Sequence, residues 1–190
     1  DNVLFVVEPK DGKVFTQKTL AIIEEITQAS WQIPYSLRVD SITNFQYTWA
    51  DGDDLVVQDL VENAEAFTDK QLKKVQAVAL AEPLLLNRLI TKKSDITGIN
   101  TTINRPNKTN TETPEIVAFS RSMKNQFEKK YPDIKIYLTG VVFMDNTFNE
   151  AGEGDMKTLI PLMYAIVLII MALSLRTFWG TFTTILIMAF

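Results

Sequence analysis

The chain contains neither cysteine nor histidine. That removes thiol nucleophiles, disulfides and thiolate metal sites, together with the commonest general base and metal ligand. The chemistry left to it is that of carboxylates and aromatic rings. Asp51, Asp53 and Asp54 surround Gly52 and offer the oxygen ligands a hard cation prefers. Their spacing lacks the full calcium-loop pattern, so a solvated acidic turn is the better reading. Glu24 with Glu25, and Glu112 with Glu115, are close carboxylates of the kind used in acid–base work. Helix surfaces carry such pairs routinely, and no catalytic residue, metal or cofactor is expected. Phe45, Tyr47 and Trp49 alternate, so on an extended chain all three point to one side. They either pack a segment onto a neighbouring sheet, the commoner outcome, or line a passage for a hydrophobic molecule. They are the strongest ligand-contact candidates in the chain, and Asn44, Gln46 and Thr48 would face solvent or a partner.

The elements that position these residues follow from periodicity. Val3 to Val7 is an unbroken apolar run ahead of Pro9 and Gly12, which predicts a buried central strand and a turn. Leu20, Ile23 and Ile26 fall on one face of a helix for which Thr16 is a suitable N-cap. A second strand is expected over residues 35–42. Thr68 and Gln71 have the capping-box spacing and open a helix carrying Leu72, Val75 and Ala79 on one side. Ile99, Thr101 and Ile103 alternate as a half-buried strand does. Thr113-Pro114 is expected to start a helix with Ile116, Phe119, Met123 and Phe127 turned inward. Ile134, Ile136 and Leu138 then form a last strand. The order strand, helix, strand, twice over, is the split β-α-β pattern with an insert in its middle. The expectation is an α+β, ferredoxin-like domain with its helices on one face of the sheet.

Charge divides the chain. Residues 1–155 hold all 23 acidic residues and all but two of the 19 basic ones, leaving six surplus negative charges. No run of Lys or Arg is present, which argues against a nucleic-acid partner. Only Lys157 and Arg176 are charged beyond Asp155. Residues 158–175 carry no charge at all and are long enough, at helical rise, to cross a bilayer core. We expect a membrane helix over residues 156–176, with Pro161 in its first turn and Tyr164 and Trp179 at the interfaces. Arg176 would lie in a cytoplasmic turn, and residues 177–190 would begin a further membrane helix. Met144, Phe148 and Ala151 predict a helical stalk over residues 141–155. Gly152 and Gly154, next to Asp155, would either act as a hinge in it or mark a plain break.

Several segments together carry a resemblance. They are Leu138-Thr139-Gly140, Asp155 with Pro161 six residues on, Leu175-Arg176 before a new apolar run, residues 39–44 (VDSITN) and residues 81–89 (AEPLLLNRL). In order and spacing the chain resembles exporters of the resistance-nodulation-division (RND) superfamily, nearest the branch of predicted exporters, which is similar to the MmpL lipid transporters. The resemblance implies a first periplasmic porter-like domain over residues 1–155, in the inner membrane of a bacterium, entering the second and third of about twelve membrane helices. It implies a hydrophobic or lipid-like substrate and a proton-driven cycle whose carboxylates lie in later helices. The bilayer, the rest of the same polypeptide and a homo-oligomeric copy are the partners it implies. A protein-interaction module of a translocation or permease complex is the alternative function. An acylphosphatase-like enzyme is disfavoured, because residues 8–12 (EPKDG) lack the arginine its anion loop needs. An isolated helix pair would expose much apolar surface, so self-association or a need for detergent is expected.

Overall fold

A computed structural model describes residues 1–175. The chain divides into two compact units, Asp1–Asn146 and Thr147–Phe190. In the first, β1 (Asn2–Pro9), β2 (Ser36–Asp40), β5 (Thr97–Ile103) and β6 (Ile134–Thr139) form one sheet in the order β2-β5-β1-β6. Every neighbouring pair is antiparallel. Helices α1 (Gln17–Ser30) and α3 (Glu112–Lys130) supply the apolar layer that packs against it.

The odd-numbered residues of β1 make the core. Val3, Phe5 and Val7 are fully buried with Ile99 and Ile136 from the flanking strands, and meet Leu20, Ile23 and Ile26 of α1 and Ile116 of α3. Each such side chain contributes about 1.5–3 kcal/mol through its burial. Leu4 and Val6, on the opposite face, are only half-buried. The unbroken apolar run of β1 therefore reports its central position, not closure by helices on both faces.

Local signals account for most helix starts. The Thr16 side chain accepts the backbone N–H of Thr19 at the head of α1. Thr68 and Gln71 complete the capping box of α2 (Asp69–Ala81), which buries Val75 and Ala79. α3 begins at Glu112, ahead of the expected Thr113-Pro114 start, because the Glu112 carboxylate gathers the preceding loop. It accepts the backbone N–H groups of Asn107, Lys108 and Thr109 at 2.8, 2.9 and 3.2 Å. Phe119 also departs from expectation. It is 38% exposed, because the buried stripe of α3 runs through Ile116, Val117, Ser120, Met123 and Phe127 and leaves Phe119 on its flank.

The excursion between β2 and β5 holds a hairpin whose second strand periodicity does not reveal. β3 (Gln46–Asp51) pairs with β4 (Asp54–Asp59) across the two-residue turn Gly52-Asp53, where Gly52 takes φ +65°. Asn44, expected to face solvent or a partner, is half-buried. It is folded into the turn before β3, accepting the Ser41 N–H at 2.8 Å and donating to the Val39 carbonyl at 2.7 Å.

α4 (Val141–Leu175) starts in the first unit, where Val142 is fully buried. Gly140 precedes it at φ +116°, with any Cβ there only 2.5 Å from the Asn2 carbonyl oxygen. Asn2 also caps the helix, its side-chain oxygen accepting the Val141 N–H at 3.1 Å. The helix is unbroken through Gly152, Gly154 and Asp155, all exposed. Pro161 lies well inside it and not in a first turn, since the helix opens twenty residues earlier. Residues 141–171 of it form one helix long and apolar enough to cross a membrane, with mean hydropathy 1.6 and no buried residue in the apolar window. Arg176, Trp179 and the expected further helix over residues 177–190 lie outside the described residues.

Candidate functional site

The paired carboxylates separate into structural roles. Glu24 accepts the backbone N–H groups of Asn63 and Ala64, each at 2.9 Å, and so ties the turn before α2 to α1. Its neighbour Glu25 is held by Lys130, the last residue of α3, and by the hydroxyl of Tyr131, which caps that helix. Burial pushes the Glu25 carboxyl up, but the hydrogen bonds from Lys130 and Tyr131 and the lysine charge bring it below its ordinary value. Glu115 accepts from the Tyr35 hydroxyl at 3.2 Å, a bond that raises the tyrosine above its ordinary value. Glu112 is the loop anchor already described. Neither pair thus shares a common proton or points into a common cavity. Among the described residues no group of three or more carboxylates is placed to hold a metal ion.

The aromatic alternation is present. Phe45, Tyr47 and Trp49 are each half-buried while Gln46 and Thr48 are exposed. Tyr47 and Trp49 stack with centroids 5.4 Å apart, and the Lys74 ammonium of α2 lies 5.8 and 5.3 Å from the two rings. These contacts dock the hairpin onto α2. Tyr47 borders a space of about 270 Å³ closed by Phe67, Lys74, Val75 and Val78. Phe45 opens onto a different and larger hollow. The three rings therefore share a side of the strand without lining one passage.

That larger hollow, about 750 Å³, lies on the back face of the sheet. Leu4 and Asn100 provide its floor, Trp31 and Phe45 one end, and Leu84, Leu85 and Leu89 a wall. Gly98 lets the wall approach: a Cβ there would sit 3.2 Å from Leu4 Cδ1 and 3.7 Å from Leu89 Cδ2. The Leu89 carbonyl accepts the Gly98 N–H and the Thr97 hydroxyl, both at 2.8 Å, which fixes this segment on the sheet. Arg38 and Arg88 stand at the rim. Arg38 is engaged by Asp40, Nε and Nη2 lying 2.7 and 2.6 Å from the same carboxylate oxygen. The Arg88 side chain has no hydrogen-bond or ion-pair partner among the described residues.

Sequence reasoning did not single out Arg88, Leu84 or Leu89 as site residues. The available signal was a lone arginine in the apolar run of residues 84–90, which has neither helical nor strand period. No protein-family model matches this chain, and no curated protein matches it.

Proposed function

We propose that the chain is a periplasmic porter-type domain of an RND-kind exporter with a membrane helix that follows it, guiding a hydrophobic or amphipathic substrate at the expense of the proton gradient. The observation that carries this reading is α4. A core helix of its composition would be buried, whereas its apolar window has no buried residue, and lipid is the solvent that suits such a surface. The strand order β2-β5-β1-β6 with helical crossovers supports a ferredoxin-like, split β-α-β domain with an insert between β2 and β5. The hollow on the back of the sheet, walled by leucines and rimmed by arginine, supports an amphipathic cargo. Placement of residues 1–155 on the periplasmic side of a bacterial inner membrane belongs to the same proposal.

A second reading, an interaction module of a larger membrane complex, draws on the outer face of the hairpin. Leu55 and Val57 are 71% and 52% exposed there.

Residues 1–190 hold no cysteine, so one introduced here is a distinct probe. An Asp53→Cys variant in the hairpin turn should react with a membrane-impermeant maleimide in intact spheroplasts. Efflux of an amphiphilic dye from the same cells should stop when a protonophore collapses the gradient. Labelling only after lysis would sink the periplasmic placement, and efflux that survives the protonophore but not ATP depletion would favour the interaction module of an ATP-driven permease.

A further inference from the structure

We infer that the back face of the sheet binds an anionic amphiphile, with its carboxylate on Arg88 and its single alkyl chain along Leu4, Phe45, Leu84 and Leu89. This deepens the reading of the domain as a guide for amphipathic cargo and rests on it.

Three observations converge. The first is continuity. The 750 Å³ hollow adjoins a second of about 530 Å³, and the two share Leu4, Arg88 and Leu89. Together they make a trough along the sheet with Arg88 at its middle. Ligand sites of a few hundred to a thousand cubic ångströms commonly hold a molecule of this size.

The second is charge. Residues 1–155 carry six surplus negative charges, yet the trough is lined by Arg38, Arg88, Lys92 and Lys93 against only Asp40 and Asp95. Both acids are committed: Asp40 to Arg38, and Asp95 to the Thr91 hydroxyl at 2.5 Å. A basic trough in an acidic domain is the reverse of what composition alone produces, and it selects the sign of the head group. A guanidinium without a hydrogen-bond or ion-pair partner among the described residues also suits a planar carboxylate.

The third is the apolar surface left open beside that charge. Leu84 is 58% exposed, and Leu4 is half-buried on the face of the sheet opposite α1 and α3. An alkyl chain laid there removes this surface from water, which stabilises the complex in proportion to the area covered.

The test uses the full chain in phosphatidylcholine nanodiscs, photolabelled with diazirine-bearing palmitate and mapped by mass spectrometry. Labels are expected on residues 84–89 and on Phe45. Laurate should compete about ten-fold better than dodecanol or dodecyltrimethylammonium, the scale of one charge-assisted hydrogen bond. Arg88→Glu should remove that preference and Arg88→Lys should keep most of it. The inference is overturned if dodecanol competes as well as laurate on the unaltered chain, or if the label falls only on α4. Charge-blind labelling of the trough would leave the exporter reading standing. Charge-selective labelling in cells that show no gradient-driven efflux would uphold the site and remove the exporter reading.

Discussion

Arg105 Nη2 lies 2.9 Å from a carboxylate oxygen of Asp145, which joins the loop before α3 to the N-terminal part of α4. The same guanidinium reaches Asp1 at 2.8 Å and the Thr113 hydroxyl at 2.6 Å, so one side chain gathers α3, α4 and the residue ahead of β1. It is only 15% exposed, and hydrogen bonds to a charged group of this kind contribute roughly 1.5–3 kcal/mol each before solvent screening. Arg105→Ala should lower the unfolding free energy by about 2 kcal/mol and Asp145→Ala by about 1 kcal/mol. Chemical denaturation in detergent checks the ranking, and an Asp145 effect larger than that of Arg105 would remove the arginine from the centre of the cluster.

Acid should loosen the loop ahead of α3. Burial pushes Glu112 up, but the N–H groups of Lys108, Asn107 and Thr109 and the charge of Arg105 outweigh it, so its carboxyl is held below the ordinary 4.5. A depressed folded-state value means the stabilisation is complete above about 4.5 and is lost as pH falls through the lower folded value. Thermal midpoints between neutral and acidic pH should therefore fall more steeply in the unaltered chain than in Glu112→Gln. Equal slopes for the two proteins would count against this carboxylate as an acid-sensitive anchor.

Gly140 permits no side chain. Its φ of +116° and the 2.5 Å approach of a Cβ to the Asn2 carbonyl oxygen mean that Gly140→Ala forces β1 and the start of α4 apart. The expected cost is roughly 1–3 kcal/mol, read as a lowered melting temperature. Gly52→Ala, strained at φ +65° but with open space around it, should cost less.

Trp49→Ala should lower stability by only about 1 kcal/mol, the value of a stacked pair with an exposed cation over it. Efflux should be unchanged, since Trp49 borders neither hollow. A large loss of efflux with stability intact would return the aromatic strand to the substrate path.

Gly152 and Gly154 are helical and exposed. Replacing both by Ala should raise the helix stability by about 1 kcal/mol per site. If they serve as a hinge, efflux should fall while the melting temperature rises. An unchanged efflux rate would make them ordinary helix positions.

Caps were legible in the sequence because they are local: Thr16 and Thr68 meet donors three residues on, whatever the rest of the chain does. The hydrophobic alternation of β5 and β6 was legible for the same reason. β4 was not, because Leu55, Val56 and Val57 show no alternation and sit between aspartates; Asp51-Gly52 was the turn signal that pointed to it. The side shared by Phe45, Tyr47 and Trp49 followed from strand geometry alone. That Phe45 and Tyr47 open onto different hollows depends on where α2 and residues 84–89 lie, and no periodicity records that. Arg88 stayed hidden for a related reason: that its side chain has no partner among the described residues is a property of the folded surroundings.

The position of β1 has a consequence for biosynthesis. It is synthesised well ahead of its neighbours in the sheet, which are β5, pairing Asn2 with Thr102, and β6, pairing Leu4 with Thr139. At about 5–20 residues per second, the strand waits on the order of ten seconds with both edges unpaired. Because β6 ends one residue before the start of α4, the sheet closes only as the apolar helix is itself being made. In the exporter proposed above, translocation of the domain and delivery of that helix to lipid would be coordinated with a nascent chain whose central strand is still open to chaperones and to other copies of itself.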